Sequence, residues 1–228
     1  MALLHEFFTF LWILPMQAND AVQNDGPEGH YIGNLWLEEN NNPQGHVYAT
    51  QDKFPHNAWQ RIITSFIVAY KAGGSTSSMV PPPNIPAVGV LWYKTILQNA
   101  SCPNNTAGLY GQQPRDFSTG YDALNWAVVL PAKSTGMRIS GISNNVTLNT
   151  TTLGPGFNFG AFNGVQAGSQ TLNLIDSTGA VVMSATNGMT VSTGCPDGIY
   201  NMNYQIIGLS SAVPTNRRSL NESEKVLR

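Results

Sequence analysis

The chain has 228 residues, which is long enough for one large domain or two small ones with a substantial core. Only 11% of the residues are charged, compared with roughly 25% in an average soluble domain. With 11 basic and 13 acidic residues and a formal net charge of −2, the composition argues against nucleic acid or an anionic membrane as the partner, and it suits an extracellular protein that handles uncharged polar material such as carbohydrate.

The first segment, residues 1–18, is apolar but only partly resembles a secretory signal. Its apolar run extends from Phe7 to Met16, and the acidic Glu6 stands where a signal peptide would carry positive charge. The run is too short to cross a bilayer as a helix. It predicts a poor signal peptide, with a buried strand or an artefact of the gene model as the alternatives.

A polar stretch and then a helix follow. All four histidines and seven of the thirteen carboxylates lie before Asn57, so we expect acid/base chemistry near the N-terminus. After Asn57, which suits an N-cap, apolar residues recur at helical spacing, at Trp59, Ile63, Phe66, Ile67 and Tyr70. Gly73 and Gly74 should end this helix after Lys71.

Beyond the helix, the pattern changes to that of a β domain. Residues 73–86 are rich in Gly, Ser and Pro, which indicates a linker and a domain boundary. Over residues 87–208, seven or eight short strand-like runs are separated by turn signals, which predicts an antiparallel β-sandwich. Residues 209–228 become charged and are predicted to be a disordered polar tail.

Two features point to secretion. Cys102 and Cys195 are the only cysteines, and an even count is compatible with one disulfide, the alternative being two free thiols in a reducing compartment. Five sequons for N-glycosylation occur, at Asn99, Asn104, Asn145, Asn149 and Asn221. We therefore expect an extracellular, secreted protein.

The sequence contains no motif for a metal or cofactor. His30, His46 and His56 are separated by sixteen and ten residues, unlike compact zinc patterns, and the cysteines are distant. No nucleophile elbow, phosphate loop or dinucleotide fingerprint occurs. We expect no metal and no cofactor.

One pair of carboxylates stands out. Asp25 and Glu28 lie three residues apart in NDGPEGHYIG, and a Gly-Pro turn between them could direct both into a cleft. Cleavage of a glycosidic bond needs one carboxylic acid to protonate the leaving oxygen and one carboxylate to attack or to activate water. The spacing alone favours a turn capped by Asp25 and a solvated Glu28.

Three blocks occur in order along the chain: NDGPEGHYIG (24–33), FPHNAWQRIITSFIVAYKAG (54–73) and GIYNMNYQIIG (198–208). Together they resemble glycoside hydrolase family 71, the fungal α-1,3-glucanases or mutanases. The resemblance implies a signal peptide, a (β/α)₈ barrel and a C-terminal β-sandwich. Residues 19–72 would then be the last loop and last helix of the barrel, and the chain would be a truncated, inactive form.

The resemblance also implies the site residues. It places Asn24, Asp25, Glu28, His30 and Tyr31 in the substrate cleft at the end of a barrel strand. Asp25 and Glu28 would be the catalytic pair, with Glu28 contacting the reacting sugar. His56, Asn57 and Trp59 carry over from the helix block as substrate-binding residues, although capping and packing explain them better.

Other aromatic residues could stack on sugar rings. In strands of period two, Trp92 and Trp126 are better explained as core residues, whereas Trp36 in its loop could serve either role. The main hypothesis is hydrolysis of α-1,3-glucan by a monomer, without nucleic-acid or membrane partners. The alternatives are a non-catalytic secreted β-sandwich that binds carbohydrate or is structural, and an unstable product of a faulty gene model.

Overall fold

The computed structural model describes residues 57–101, 122–195 and 204–211, which form one helix and eleven strands. In chain order these are α1 (Trp59–Lys71), a single 3₁₀ turn (Thr76–Ser78), β1 (Val88–Lys94), β2 (Ile96–Ser101), β3 (Ala123–Leu130), β4 (Arg138–Ser143), β5 (Val146–Thr152), β6 (Gly156–Asn163), β7 (Gln170–Ile175), β8 (Val181–Ala185), β9 (Ser192–Gly194), β10 (Tyr204–Gly208) and β11 (Ser210–Ser211). The predicted mainly β class is confirmed.

The strands form three sheets. A four-stranded sheet has the order β10-β1-β3-β6, and a five-stranded sheet has the order β11-β8-β7-β4-β5. All pairs in these two sheets are antiparallel. The third sheet consists of β2 and β9, and these two strands are parallel. The prediction of a wholly antiparallel domain is therefore wrong at this point, because the chain turns away from the four-stranded sheet between β1 and β2.

The four-stranded sheet carries hydrophobic clusters on both faces. On one face, Leu91 and Trp126 join Leu172 and Leu174 of the five-stranded sheet in a single cluster. On the other face, Val90 and Trp92 pack with the helix. Since both faces are covered, β1 and β3 are apolar and buried along almost their whole length.

Helix α1 packs one face on the four-stranded sheet, with Trp59, Ile62, Phe66 and Ala69 buried in one cluster with the sheet. The predicted stripe is correct at Trp59 and Phe66 but wrong at Ile67 and Tyr70, which are 43% and 50% exposed because the buried face runs through Ile62 and Ala69 instead. The helix ends as predicted, after Lys71 and before Gly73, whose φ of 68° is in the left-handed region.

The start of α1 differs from the prediction that Asn57 is the N-cap. The N-cap is Ala58, and no side chain caps the helix. Asn57 contributes its backbone carbonyl instead, which accepts a hydrogen bond from the Gln60 N–H at 3.1 Å. The first turn is therefore held by the backbone and by the packing of Trp59.

Two segments expected to be open are packed. In the Gly/Ser/Pro segment 73–86, Met79 is 1% exposed and lies in the cluster between helix and sheet. At the predicted start of the polar tail, Leu209 is buried, its N–H donates to the Gly89 carbonyl at 2.8 Å, and β11 pairs with β8. Regular structure thus continues through Ser211.

Candidate functional site

The structure describes only some of the predicted site residues. Those outside the described residues are Asn24, Asp25, Glu28, His30, Tyr31, His56, Cys102, Asn104 and Asn221. Those within them are Asn57, Trp59, Asn99, Asn145, Asn149 and Cys195. The roles assigned to the first group stay predictions.

Trp59 lies in the core at the start of α1. Its side chain is 7% exposed, and its ring centroid is 4.9 Å from that of Trp92 on β1 at an interplanar angle of 54°. A ring with so little exposed area offers little surface to a sugar. Trp59 therefore stabilises the packing of α1 on β1. Its substrate-binding role stays a prediction. Trp92 and Trp126 are buried, as the core interpretation predicted.

Lys94 and Tyr204, which we call the Lys94 cluster, are in contact at the end of β1. Alternation along the strand places Lys94 on the same face as Val90 and Trp92. The Lys94 ammonium nitrogen is 3.7 Å from the centroid of the Tyr204 ring. A cation at this distance over an aromatic face is attracted by the ring quadrupole.

Burial gives Lys94 unusual acid/base properties. Loss of surrounding water lowers the pKa of Lys94 to about 7. The amine therefore exists in both charged and neutral forms near neutral pH, so it can accept or release a proton. Sequence reasoning missed this residue, because Lys94 is a single charged residue at the end of an apolar strand.

Asn125 adds a second polar side chain to this face of the sheet. It is buried on β3 opposite Trp92, and its amide nitrogen donates to the Trp92 carbonyl at 3.4 Å. This face of the sheet thus carries an amide beside the aromatic rings and one strand away from the Lys94 amine.

Only two carboxylates, Asp122 and Asp176, lie within the described residues, and both accept hydrogen bonds from backbone N–H groups. Asp122 Oδ1 accepts a hydrogen bond from the Gln98 N–H at 3.0 Å. Asp176 Oδ1 accepts bonds from the hydroxyl and N–H of Thr178 and from the Ala180 N–H. These bonds, that of the Thr178 hydroxyl above all, hold the pKa of Asp176 below its ordinary value.

Because β2 and β9 are parallel neighbours, Cys195 lies close to β2. Cys195 follows β9 and packs against Ile96 and Ala100. The ladder pairs Ser101 with Gly194. The pairing of Cys195 with Cys102 stays a prediction, because Cys102 is outside the described residues.

Three sequon asparagines lie on exposed positions of the β domain. Asn99 is on β2, Asn145 is in the turn between β4 and β5, and Asn149 is on β5. Within the described ranges, no group of three or more His, Cys, Asp or Glu side chains is placed to hold a metal ion. In the same ranges, no helix has the length and apolar character needed to cross a bilayer.

Comparison with known proteins gives one match. The family model described as glycosyl hydrolase family 71 matches residues 20–218. No curated protein and no solved structure matches significantly. The family match includes the block with Asp25 and Glu28, the helix α1 and all of the described strands.

Proposed function

Because the chain belongs to glycosyl hydrolase family 71, we propose that its site acts on α-1,3-glucan, a neutral polysaccharide, by carboxylate acid/base hydrolysis. The family itself suggests glycosidase activity. The low charge of the chain, with a net charge of −2, is compatible with a neutral substrate. Secretion to reach such a substrate outside the cell is part of the proposal.

The observation that carries the assignment of residues is that the family match includes the block with Asp25 and Glu28. The two described carboxylates, Asp122 and Asp176, accept hydrogen bonds from backbone N–H groups. Glycosidic cleavage needs two carboxyl groups about 5–9.5 Å apart across the scissile bond. We assign the catalysis to Asp25 and Glu28, the pair that the resemblance to family 71 implies, which lie in the family-matched segment before α1.

The remaining residues of this block complete the proposed cleft. Asn24, His30 and Tyr31 provide hydrogen-bonding groups for sugar hydroxyls, and His56 immediately precedes the first turn of α1. In this proposal, residues 19–72 correspond to the end of a (β/α)₈ barrel. The two larger sheets, which share one hydrophobic cluster, correspond to the β-sandwich that follows it.

We further propose that the 228-residue chain alone does not hydrolyse glucan. A (β/α)₈ barrel takes about 250 residues, and most of this chain is β domain. Two carboxylates in a loop must be held within about 0.5 Å of the productive geometry by a supporting framework. In this proposal, residues 19–72 supply only the end of that framework, so the 228 residues taken alone do not hold Asp25 and Glu28 in the productive geometry.

A chimera tests the assignment of the catalytic pair. Residues 20–218 would replace the equivalent segment of an active family 71 α-1,3-glucanase, and release of reducing sugar from insoluble α-1,3-glucan would be measured. We expect an active chimera that loses about 10²–10⁴-fold in rate with Glu28→Gln. The matched control, Asp176→Asn, should keep its activity. Full activity of the Glu28→Gln chimera would contradict the assignment.

A second function is a non-catalytic module that binds glucan through its β domain. The structural roles of Asp122, which binds the backbone of β2, and of Asp176, which binds its own turn, favour it for the described residues considered alone. Co-sedimentation of the full chain with insoluble α-1,3-glucan separates the two functions. Binding that persists in the Asp25→Asn, Glu28→Gln double variant would favour the module, whereas binding lost in that variant would favour the cleft.

A further inference from the structure

Strand β5 forms an open edge of the five-stranded sheet. It pairs with β4 on one side and has no described strand on the other. Its sequence, VTLNTTT, contains no charged residue and no proline, and most of its residues are exposed. Natural edge strands are commonly protected from pairing with other chains by charges, prolines or a covering group. Five of its seven residues are β-branched, which favours such pairing.

The turn that leads into β5 presents Asn145 to solvent. Ser143 pairs with Val146, so Asn144 and Asn145 are the two residues of the hairpin turn, with φ angles of 47° and 66°. Asparagine is favoured at such positions. The Asn145 side chain is exposed and has no hydrogen bond in the described part of the chain. Its amide nitrogen is thus sterically accessible.

Asn145 also begins a sequon whose hydroxyl residue is accessible. Thr147 follows two positions later and is exposed on β5. It pairs with Ile142 on the outer face of the sheet, away from the cluster shared by the two sheets. We propose that Asn145 carries an N-linked glycan, and that this glycan covers the open edge of β5.

The modification is a balanced group transfer. The amide nitrogen of Asn145 forms a bond to C1 of an oligosaccharide supplied on a polyprenyl diphosphate. The bond from C1 to the diphosphate oxygen breaks, and the amide proton is lost as the lipid diphosphate leaves. No oxidant or reductant is needed, and the transferase and donor belong to the secretory compartment.

The neighbouring sequon at Asn149 is placed differently. Asn149 pairs with Gly141, and a Cβ at Gly141 would collide with the Phe162 ring in the cluster between the sheets. Since directly opposite residues share a face, Asn149 lies on the core side of β5. Its side-chain oxygen also accepts the Thr150 N–H at 2.8 Å. Asn145, which projects from the turn, is therefore the better carrier of a large polar group.

The test uses the full chain with an added secretory signal, translated in the presence of endoplasmic-reticulum microsomes. Only chains protected from external protease are analysed, so every molecule counted has met the transferase. Glycopeptide mapping should find a glycan on Asn145 in the original chain and in Thr147→Ser, but not in Thr147→Ala. Asn145→Asp, which keeps a residue tolerant of positive φ, should also lack it. An unmodified Asn145 in the original chain would overturn the assignment.

A second measurement tests the protective role. The glycosylated chain and Thr147→Ala, produced by secretion, would be compared by sedimentation velocity over a range of equal concentrations. We expect Thr147→Ala to self-associate at lower concentration, with both proteins showing the same circular dichroism. Identical sedimentation of the two folded proteins would show that the glycan does not protect the edge of β5. The proposal that Asn145 carries a glycan would be unaffected.

Discussion

Ser101 and Gly194 lie opposite each other in the parallel ladder of β2 and β9. The next residue in each sequence is a cysteine, Cys102 or Cys195. Neighbouring strands are about 4.8 Å apart, and a disulfide joins Cα atoms about 4.4–6.8 Å apart. The register of these two strands is therefore compatible with the predicted bridge.

The first prediction is that Cys102 and Cys195 form this bridge. It would close a loop of about 90 residues, for which the chain-entropy model gives roughly 4–5 kcal/mol. Peptide mapping of the secreted, unreduced protein should recover the linked peptides. The double variant Cys102→Ser, Cys195→Ser should unfold at lower urea concentration. Two thiols that can be alkylated in the folded protein would exclude the bridge.

The second prediction concerns Lys94 and pH. Burial lowers the folded-state pKa of Lys94 to about 7, whereas the unfolded chain keeps its proton until about pH 10.5. Between these values the unfolded state binds more protons, so the free energy of unfolding should rise with pH. The slope is at most about tenfold per pH unit in the unfolding equilibrium constant.

Substitution isolates the effect of this amine. Lys94→Met should remove the rise between pH 7 and about pH 10, and the exposed Lys133→Met should leave it unchanged. Urea unfolding followed by tryptophan fluorescence at several pH values measures both variants. A rise that persists in Lys94→Met would assign the effect to another group.

The third prediction concerns the hydroxyl of Tyr93. The side chain is fully buried, and its hydroxyl donates to the Met189 carbonyl at 2.7 Å. Tyr93→Phe leaves that carbonyl without its donor, so we expect a loss of about 1–3 kcal/mol in the free energy of unfolding. Tyr70→Phe on the exposed side of α1 is the matched control and should change it by less than about 0.5 kcal/mol.

The fourth prediction concerns the turn at Asp176. Hydrogen bonding, first of all from the Thr178 hydroxyl, lowers the folded-state pKa of Asp176. Its contribution to stability is therefore present above the unfolded-state pKa and is lost as pH falls through the folded-state value. Thr178→Ala should raise the pKa of Asp176 in an NMR titration, whereas Thr178→Ser should not. Equal pKa values in both variants would mean that the backbone donors suffice.

Periodicity predicted the presence and type of several elements, although the buried face of the helix runs through Ile62 and Ala69 and not through the predicted Ile67 and Tyr70. The helix followed from apolar residues at spacings of three and four, and its end followed from Gly73. The buried strands β1 and β3 followed from apolar runs between turn signals. These features are local, so one sequence suffices to recognise them.

Elements that depend on distant contacts were not predictable. Strand β6 contains Gly156 and Gly160, which weaken a strand pattern. Gly160 is needed because a Cβ there would lie 2.7 Å from a ring carbon of Trp126, a contact between strands that the sequence does not reveal. The three residues of β9 are too few to show a period.

One part of the candidate site was recognisable from the sequence and another part was not. The block with Asp25 and Glu28 was recognisable from its residues and resemblance, and the family match includes it. The Lys94 cluster was not recognisable, because the pKa of Lys94 depends on burial and its cation–π contact joins it to Tyr204, more than a hundred residues away. Spacing within one segment cannot predict either property.

The pairing of β1 with β10 joins residues from the start and the end of the β domain. During synthesis on the ribosome, β1 emerges long before β10. Until β10 has been made, the edge of β1 that it will occupy lacks this strand. Contacts at such a sequence separation form late, and nascent chains with unpaired strands are prone to aggregate. Completion of the four-stranded sheet must therefore wait until β10 has been translated, about a hundred residues after β1, and the early strands are exposed to other nascent chains during that interval.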